Sequence, residues 1–207
     1  MNEVIEILTK VGAIMQNDHF VGVSGLHIDT YITKDALSPH IFEVEKVCQM
    51  FAEKNKDFAI DVVAAPALGG IILSQGTAYA LSKKLNKEIL SVFTEKTPDG
   101  NQIFTRGYDK YIKGKNVLVL EDLTTTGGSV QKVIASVKET GGKVVAVSVM
   151  VNKSPKTVNS DLFGVPFSSL GELEVATHEA KDCPMCKKGI PINTIFGHGK
   201  KFLESKK

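Results

Sequence analysis

The chain has 207 residues, enough for one domain, and its 43% hydrophobic content allows a sizeable buried core. A formal net charge of +2 is too small to mark a nucleic-acid or membrane surface, and no apolar run approaches the ~20 residues that span a bilayer. Three cysteines (Cys48, Cys183 and Cys186) make a poor disulfide framework and suit a reducing compartment, so the expected setting is cytoplasmic.

Val4, Leu8, Val11 and Met15 recur at helical spacing and predict an opening amphipathic helix rather than a secretory leader, because acids come early in the stretch. "HFVGVSGLHIDTYITKD" predicts extended segments around a turn at Ser24-Gly25. "SPHIFEVEKVCQMFAEKN" predicts a helix with Ser38 as its cap, Pro39 in the first helical position, and Ile41, Val44, Cys48 and Phe51 on one face. Strand and helix then alternate. "DVVAA" leads into "PALGG" and a helix to about Asn86, and "EILSVF" and "KNVLVLE" follow as strands. A helix over Gly127 to Thr140 closes at Gly141-Gly142, before the strands "KVVAVSVMV" and "VPFSSL". Runs such as VLVL and VVAVSVMV are apolar on both faces, as strands between helix layers are. The expected fold class is α/β, a mainly parallel sheet flanked by helices. Thr94 to Gly114 is polar and long for a connection, which predicts a lid or binding loop, and the segment from Gly171 has weak periodicity and is expected at an edge.

The stretch "VLVLEDLTTTGGSV" carries the chemistry. In an open α/β sheet, ligands bind beyond the carboxyl ends of the strands. There Leu123, Thr124, Thr125, Thr126, Gly127, Gly128 and Ser129 form a hydroxyl- and glycine-rich turn opening a helix, a cradle for phosphate. Glu121 and Asp122 would repel a phosphate that faced them. They make sense if the ligand is a sugar phosphate, with hydroxyls against the carboxylates and a divalent cation such as magnesium nearby. The plain alternative is an acidic strand end whose threonines only cap a helix. Neither Gly-x-x-x-x-Gly-Lys-Ser/Thr nor a helix-opening Gly-x-Gly-x-x-Gly is present.

That stretch resembles the motif of type I phosphoribosyltransferases that binds PRPP (5-phosphoribosyl 1-diphosphate). The wider chain, from about His19 to Lys153, resembles the orotate phosphoribosyltransferases. "SGLHIDTYITKD" is similar to their N-terminal segment, "APALGGIIL" to their pyrophosphate loop, and "FTEK…TRGYD" to the hood loop of some members. The resemblance implies one domain over 1–207: an N-terminal helix and hood segment (1–40), an α/β core (41–170) with a flexible loop at 94–114, and a C-terminal edge segment (171–207), with a small hood from the N-terminal and C-terminal segments. It implies a magnesium-dependent transfer in which a base attacks C1 of the ribose and diphosphate leaves. Glu121 and Asp122 would contact the ribose hydroxyls, Thr124 to Ser129 the 5-phosphate, and Ala67, Leu68, Gly69 and Gly70 the diphosphate. Ser24, Gly25, Thr125 and Lys153 would face the base. A homodimer sharing hood loops is implied as well.

Val23 stands where many members have lysine, Lys153 where many have arginine, and Gly69 where bacterial relatives often have lysine. A lysine at 153 keeps the charge but loses the two-pronged fit to a carboxylate. Lys96 matches the hood-loop pattern while Asp99 and Asn101 do not, which makes Arg106 the candidate for the missing cation on the leaving group; surface charge is the plain alternative for both. These departures leave open another purine or pyrimidine acceptor. A PRPP-binding regulator without catalysis is the rival, and it lacks a helix-turn-helix or basic stripe in this sequence. "HEAKDCPMCKKG" holds half a zinc site in Cys183 and Cys186, which His178 and His198 are candidates to complete; the plain alternative is a pair of reduced thiols in a turn.

Overall fold

The computed structural model describes residues 2–22 and 24–205. Asn2 caps α1 (Glu3–Lys10), its side chain accepting from Val4 N at 3.1 Å. The helix ends well short of Met15, because Gly12 turns the chain at φ +72° and Met15 already lies in β1 (Ile14–Val21). The turn containing Ser24 and Gly25 leads into β2 (His27–Ile32), antiparallel to β1. A 3-10 turn over Lys34–Ala36 then carries the chain to α2 (Ile41–Asn55). The predicted cap fails here: His40, not Ser38, precedes α2, and it makes no side-chain cap bond. The successive turns Leu37 N to Lys34 O and His40 N to Leu37 O keep Ser38 and Pro39 outside the helix.

Beyond α2 the alternation holds: β3 (Val62–Pro66), α3 (Gly69–Leu85), β4 (Leu90–Lys96), β5 (Gln102–Ile103), α4 (Asp109–Ile112), β6 (Asn116–Thr124), α5 (Gly128–Glu139), β7 (Lys143–Asn152), α6 (Ser160–Phe163) and β8 (Phe167–Glu172). The sheet order is β5-β4-β3-β6-β7-β8, parallel except for the β4–β5 pair. One face packs Leu118, Leu120 and Met150 against Phe51 and Leu73 of α2 and α3; the other packs Val117, Val119 and Val147 against Val133 and Val137 of α5. Burial on both faces is why these strands read as unbroken apolar runs.

Residues 94–114, expected as a loop, carry structure of their own. The Thr94 hydroxyl bonds buried Gln102, and Gly100 at φ +82° lets β4 fold back on β5. The segment after Gly171 joins the hood, as expected. It supplies β9 (Thr177–His178), which pairs with β2 to make a three-stranded hood sheet, then α7 (Pro184–Lys187) and α8 (Gly199–Glu204).

At the end of α2, Asn55 is buried and bonds Phe51 O at 2.8 Å and Ser148 Oγ at 2.9 Å, tying the helix to β7. Asn55→Ala is expected to lower stability by about 1–3 kcal/mol, read as an earlier urea midpoint with an unchanged m-value.

Candidate active site

Because β3, β4, β6 and β7 run parallel, their carboxyl ends share one edge of the sheet. Side chains alternate along β6, so Asp122 continues the Leu118–Leu120 side facing α2 and α3, while Glu121 continues the Val117–Val119 side. Both acids are buried, at 6% and 4% exposure for Glu121 and Asp122. Burial, reinforced by the neighbouring Asp122, pushes the Glu121 carboxyl up to about 8. Asp122 Oδ2 lies 2.7 Å from Lys34 Nζ, a charged pair, and among the described residues it has no hydrogen-bond partner besides that lysine. Burial works against the charge on Lys34, but Asp122 and Glu121 outweigh it and raise the ammonium pKa. The apparent conflict in the motif is thereby eased: Lys34 neutralises Asp122 and burial favours the protonated form of Glu121, so the adjoining turn faces less negative charge than the sequence suggests.

The turn after β6 has the geometry of such a cradle. Gly127 adopts φ +77° ahead of α5, and a Cβ there would lie 2.7 Å from Leu162 Cδ2, so only glycine fits. The Thr124 hydroxyl accepts from Gly127 N at 3.1 Å and Thr126 from Gly128 N at 3.4 Å. Leu123 is half-buried; Thr125, Thr126 and Ser129 are exposed at the positive end of a 12-residue helix. Lys153, next to this turn, donates its backbone N–H to Thr124 O at 2.9 Å; burial lowers its ammonium pKa and the charge of Asp122 partly restores it.

The β3–α3 loop closes the third side. Ala67 N bonds Thr94 O at 2.9 Å, the Ala67–Leu68 peptide is cis, and Leu68 is exposed. A Cβ on Gly69 would sit 1.9 Å from Asp122 Oδ2 and 2.6 Å from Lys34 Nζ, so the loop backbone rests directly on that ion pair. Gly70 is equally confined, its Cβ position lying 2.6 Å from Ala65 Cβ. The cavity walled by Lys34, Gly69, Asp122 and Met150 is only about 20 Å³. Lys34 fills the space beside Asp122, and a sugar ligand would have to displace it. Sequence reasoning missed Lys34, since no spacing connects it to the motif.

Other expected residues lie apart. Arg106 is exposed and ion-paired to Glu95 at 2.7 Å, and Lys96 ends β4 exposed. Ser24 and Gly25 form the hairpin tip, with Gly25 at φ +81°; Val23 lies outside the described residues. The zinc expectation needs correction. Cys183 and Cys186 meet His19 and His27, not His178 and His198, because β1 and β2 place the first two histidines diagonally on one face of the hairpin. His178 pairs opposite His27 as backbone in β9, and His198 precedes α8. The signal was the "HFVGVSGLH" hairpin itself, which brings two histidines to one face.

The Glu121 carboxyl binds a proton in the folded chain that the unfolded chain, with an ordinary value of 4.5, releases. Stability from this group is therefore complete below pH 4.5 and is lost as pH rises through about 8. Glu121→Gln is expected to flatten the fall in stability between those limits, measured by urea unfolding across pH.

A phosphoribosyl transferase domain model matches residues 37–165. The chain is 39% identical to the orotate phosphoribosyltransferase of Caldanaerobacter subterraneus and 41% identical to that of a Thermoanaerobacter species, in each case over 92% of this chain and 94% of the relative. The crystal structure of Mycobacterium tuberculosis orotate phosphoribosyltransferase superimposes with a TM-score of 0.68 at 21% identity, covering 83% of this chain and 95% of that one. That likeness establishes the type I phosphoribosyltransferase fold. With its phosphate turn, strand-end acids and close-packed glycine loop, the chain belongs to the phosphoribosyl transferase family, among the orotate phosphoribosyltransferases.

Proposed function

We propose that this protein transfers the phosphoribosyl group of PRPP to orotate, giving orotidine 5′-monophosphate and diphosphate. The observation that carries the reading is the buried Asp122 carboxylate, paired on Oδ2, among the described residues, with Lys34 alone and set between the threonine-glycine turn and Gly69. The names of the curated relatives support orotate as the acceptor.

In this reading Thr124 to Ser129 hold the 5-phosphate and the backbone of Ala67 to Gly70 approaches the diphosphate. Asp122 accepts from a ribose hydroxyl once Lys34 swings aside, and Glu121 supports the same sugar edge from the other face of β6. A ring nitrogen of the base bonds to C1 as the C1–oxygen bond breaks, and the electron pair leaves on diphosphate. Thr125, Lys153, Ser24 and Gly25 are the residues assigned to the base in this reading. The hard oxygens of Asp122 and Glu121 fit magnesium held through the sugar hydroxyls, and such an ion would neutralise charge on the departing diphosphate. Lys96, exposed at the end of β4, and Arg106, once it releases Glu95, are the candidate cations for the leaving group.

Helices α2 and α3 leave Ile41 (70%), Phe42 (71%) and Tyr79 (66%) exposed together with Ile72, which supports a homodimer. Among the described residues no helix is long and apolar enough to cross a membrane, and the reducing cysteine pattern supports a cytoplasmic setting.

Diphosphate release is expected with orotate, PRPP and magnesium, and not when uracil, hypoxanthine or adenine replaces orotate. Turnover of another base alone would reassign the acceptor, and saturable PRPP binding without turnover of any base would make the protein a regulator. Asp122→Asn should lower kcat/KM for PRPP at least tenfold, since tenfold is ~1.4 kcal/mol and hydrogen bonds to charged groups are worth ~1.5–3 kcal/mol. Unchanged kinetics in the folded variant would remove Asp122 from the site.

A further inference from the structure

Away from the strand-end site, His19 of β1, His27 of β2 and Cys183 and Cys186 of the α7 turn converge, with no two of their ligand atoms more than 4.8 Å apart. Cys186 Sγ lies 3.8 Å from His19 Nε2 and 3.4 Å from His27 Nδ1, and Cys183 Sγ lies 3.7 Å from His19 Nε2. A tetrahedral zinc ion with ordinary bond lengths would separate nitrogen and sulfur ligands by about 3.5 Å. The two imidazole nitrogens are 2.7 Å apart and need to spread only to about 3.3 Å to join them.

The groups around these atoms also orient them. His19 Nδ1 is 2.7 Å from Ile190 O, and a carbonyl only accepts, so Nδ1 carries the proton and the lone pair of Nε2 points into the cluster. The backbone N–H of Cys186 donates to Cys183 Sγ at 3.5 Å, which fixes that sulfur in the α7 turn. His19, His27 and Cys183 are at most 1% exposed.

We propose that these four side chains form a structural zinc site. Two thiolates and two imidazoles are the ligand set and softness that zinc prefers, and all four positions are filled by protein, which leaves none for substrate. Binding expels the two thiol protons, so the site is weakened by acid. The ion would link the β1–β2 hairpin to the C-terminal segment, alongside the backbone bonds Asn193 N to His19 O (2.7 Å) and His198 N to Val21 O (2.8 Å). Since β2 runs into Lys34, the same link steadies the strand that delivers Lys34 to Asp122. The assignment does not depend on the transferase reading.

Untagged protein purified without chelators should contain about one zinc per chain by mass spectrometry of the metal. After removal of the metal, Co²⁺ should develop thiolate charge-transfer and tetrahedral visible bands that saturate at one equivalent and vanish on adding Zn²⁺. Cys186→Ser, at the exposed ligand, should lower zinc affinity at least tenfold, while His178→Gln and His198→Gln keep the full zinc content. Wild-type protein with far less than one zinc per chain and no cobalt–thiolate band would overturn the site, and so would a Cys186→Ser protein that binds zinc as tightly as wild type. The wild-type measurements require no variant to fold.

Discussion

A carboxylate taken out of water needs a counter-charge, and the arrangement around Asp122 follows from that requirement. Strand β6 carries Asp122 to the edge of the apolar core, where Lys34 supplies the opposite charge at 2.7 Å. That lysine comes from the hood, not the sheet. Gly69 leaves no side chain between the two, and a methyl group there would collide with both. Three distant segments therefore meet on one ion pair.

This arrangement trades the stability of the free protein against ligand binding. Lys34 balances Asp122, and burial favours the protonated form of Glu121, which limits the charge that the buried pair carries. Any ligand that is to bond Asp122 on this oxygen has first to displace the lysine contact. The phosphate turn stays separate because strand alternation and Gly127 aim it out over α5.

The hood depends on the same economy of contacts. A three-stranded sheet with short strands buries little apolar area, and β9 contributes only two residues. Backbone bonds from the C-terminal segment, the aromatic contact of Phe202 with His27 at 4.9 Å, and the His–Cys cluster hold it together. A cross-link at that point compensates for a core too small to fix the hairpin alone.

The local pattern of residues determined a good deal by itself. Apolar runs marked β3, β6 and β7, and the Glu-Asp and Thr-Gly order marked the candidate site. Each of these is written within a few residues, since strand burial, helix opening and turn chemistry are local properties. Tertiary structure alone decided that Lys34 meets Asp122, that Arg106 pairs with Glu95, and that His19 and His27, not His178 and His198, face the cysteines. Those contacts join residues far apart in the chain, and their partners are chosen by the packing of whole elements, which no short spacing encodes.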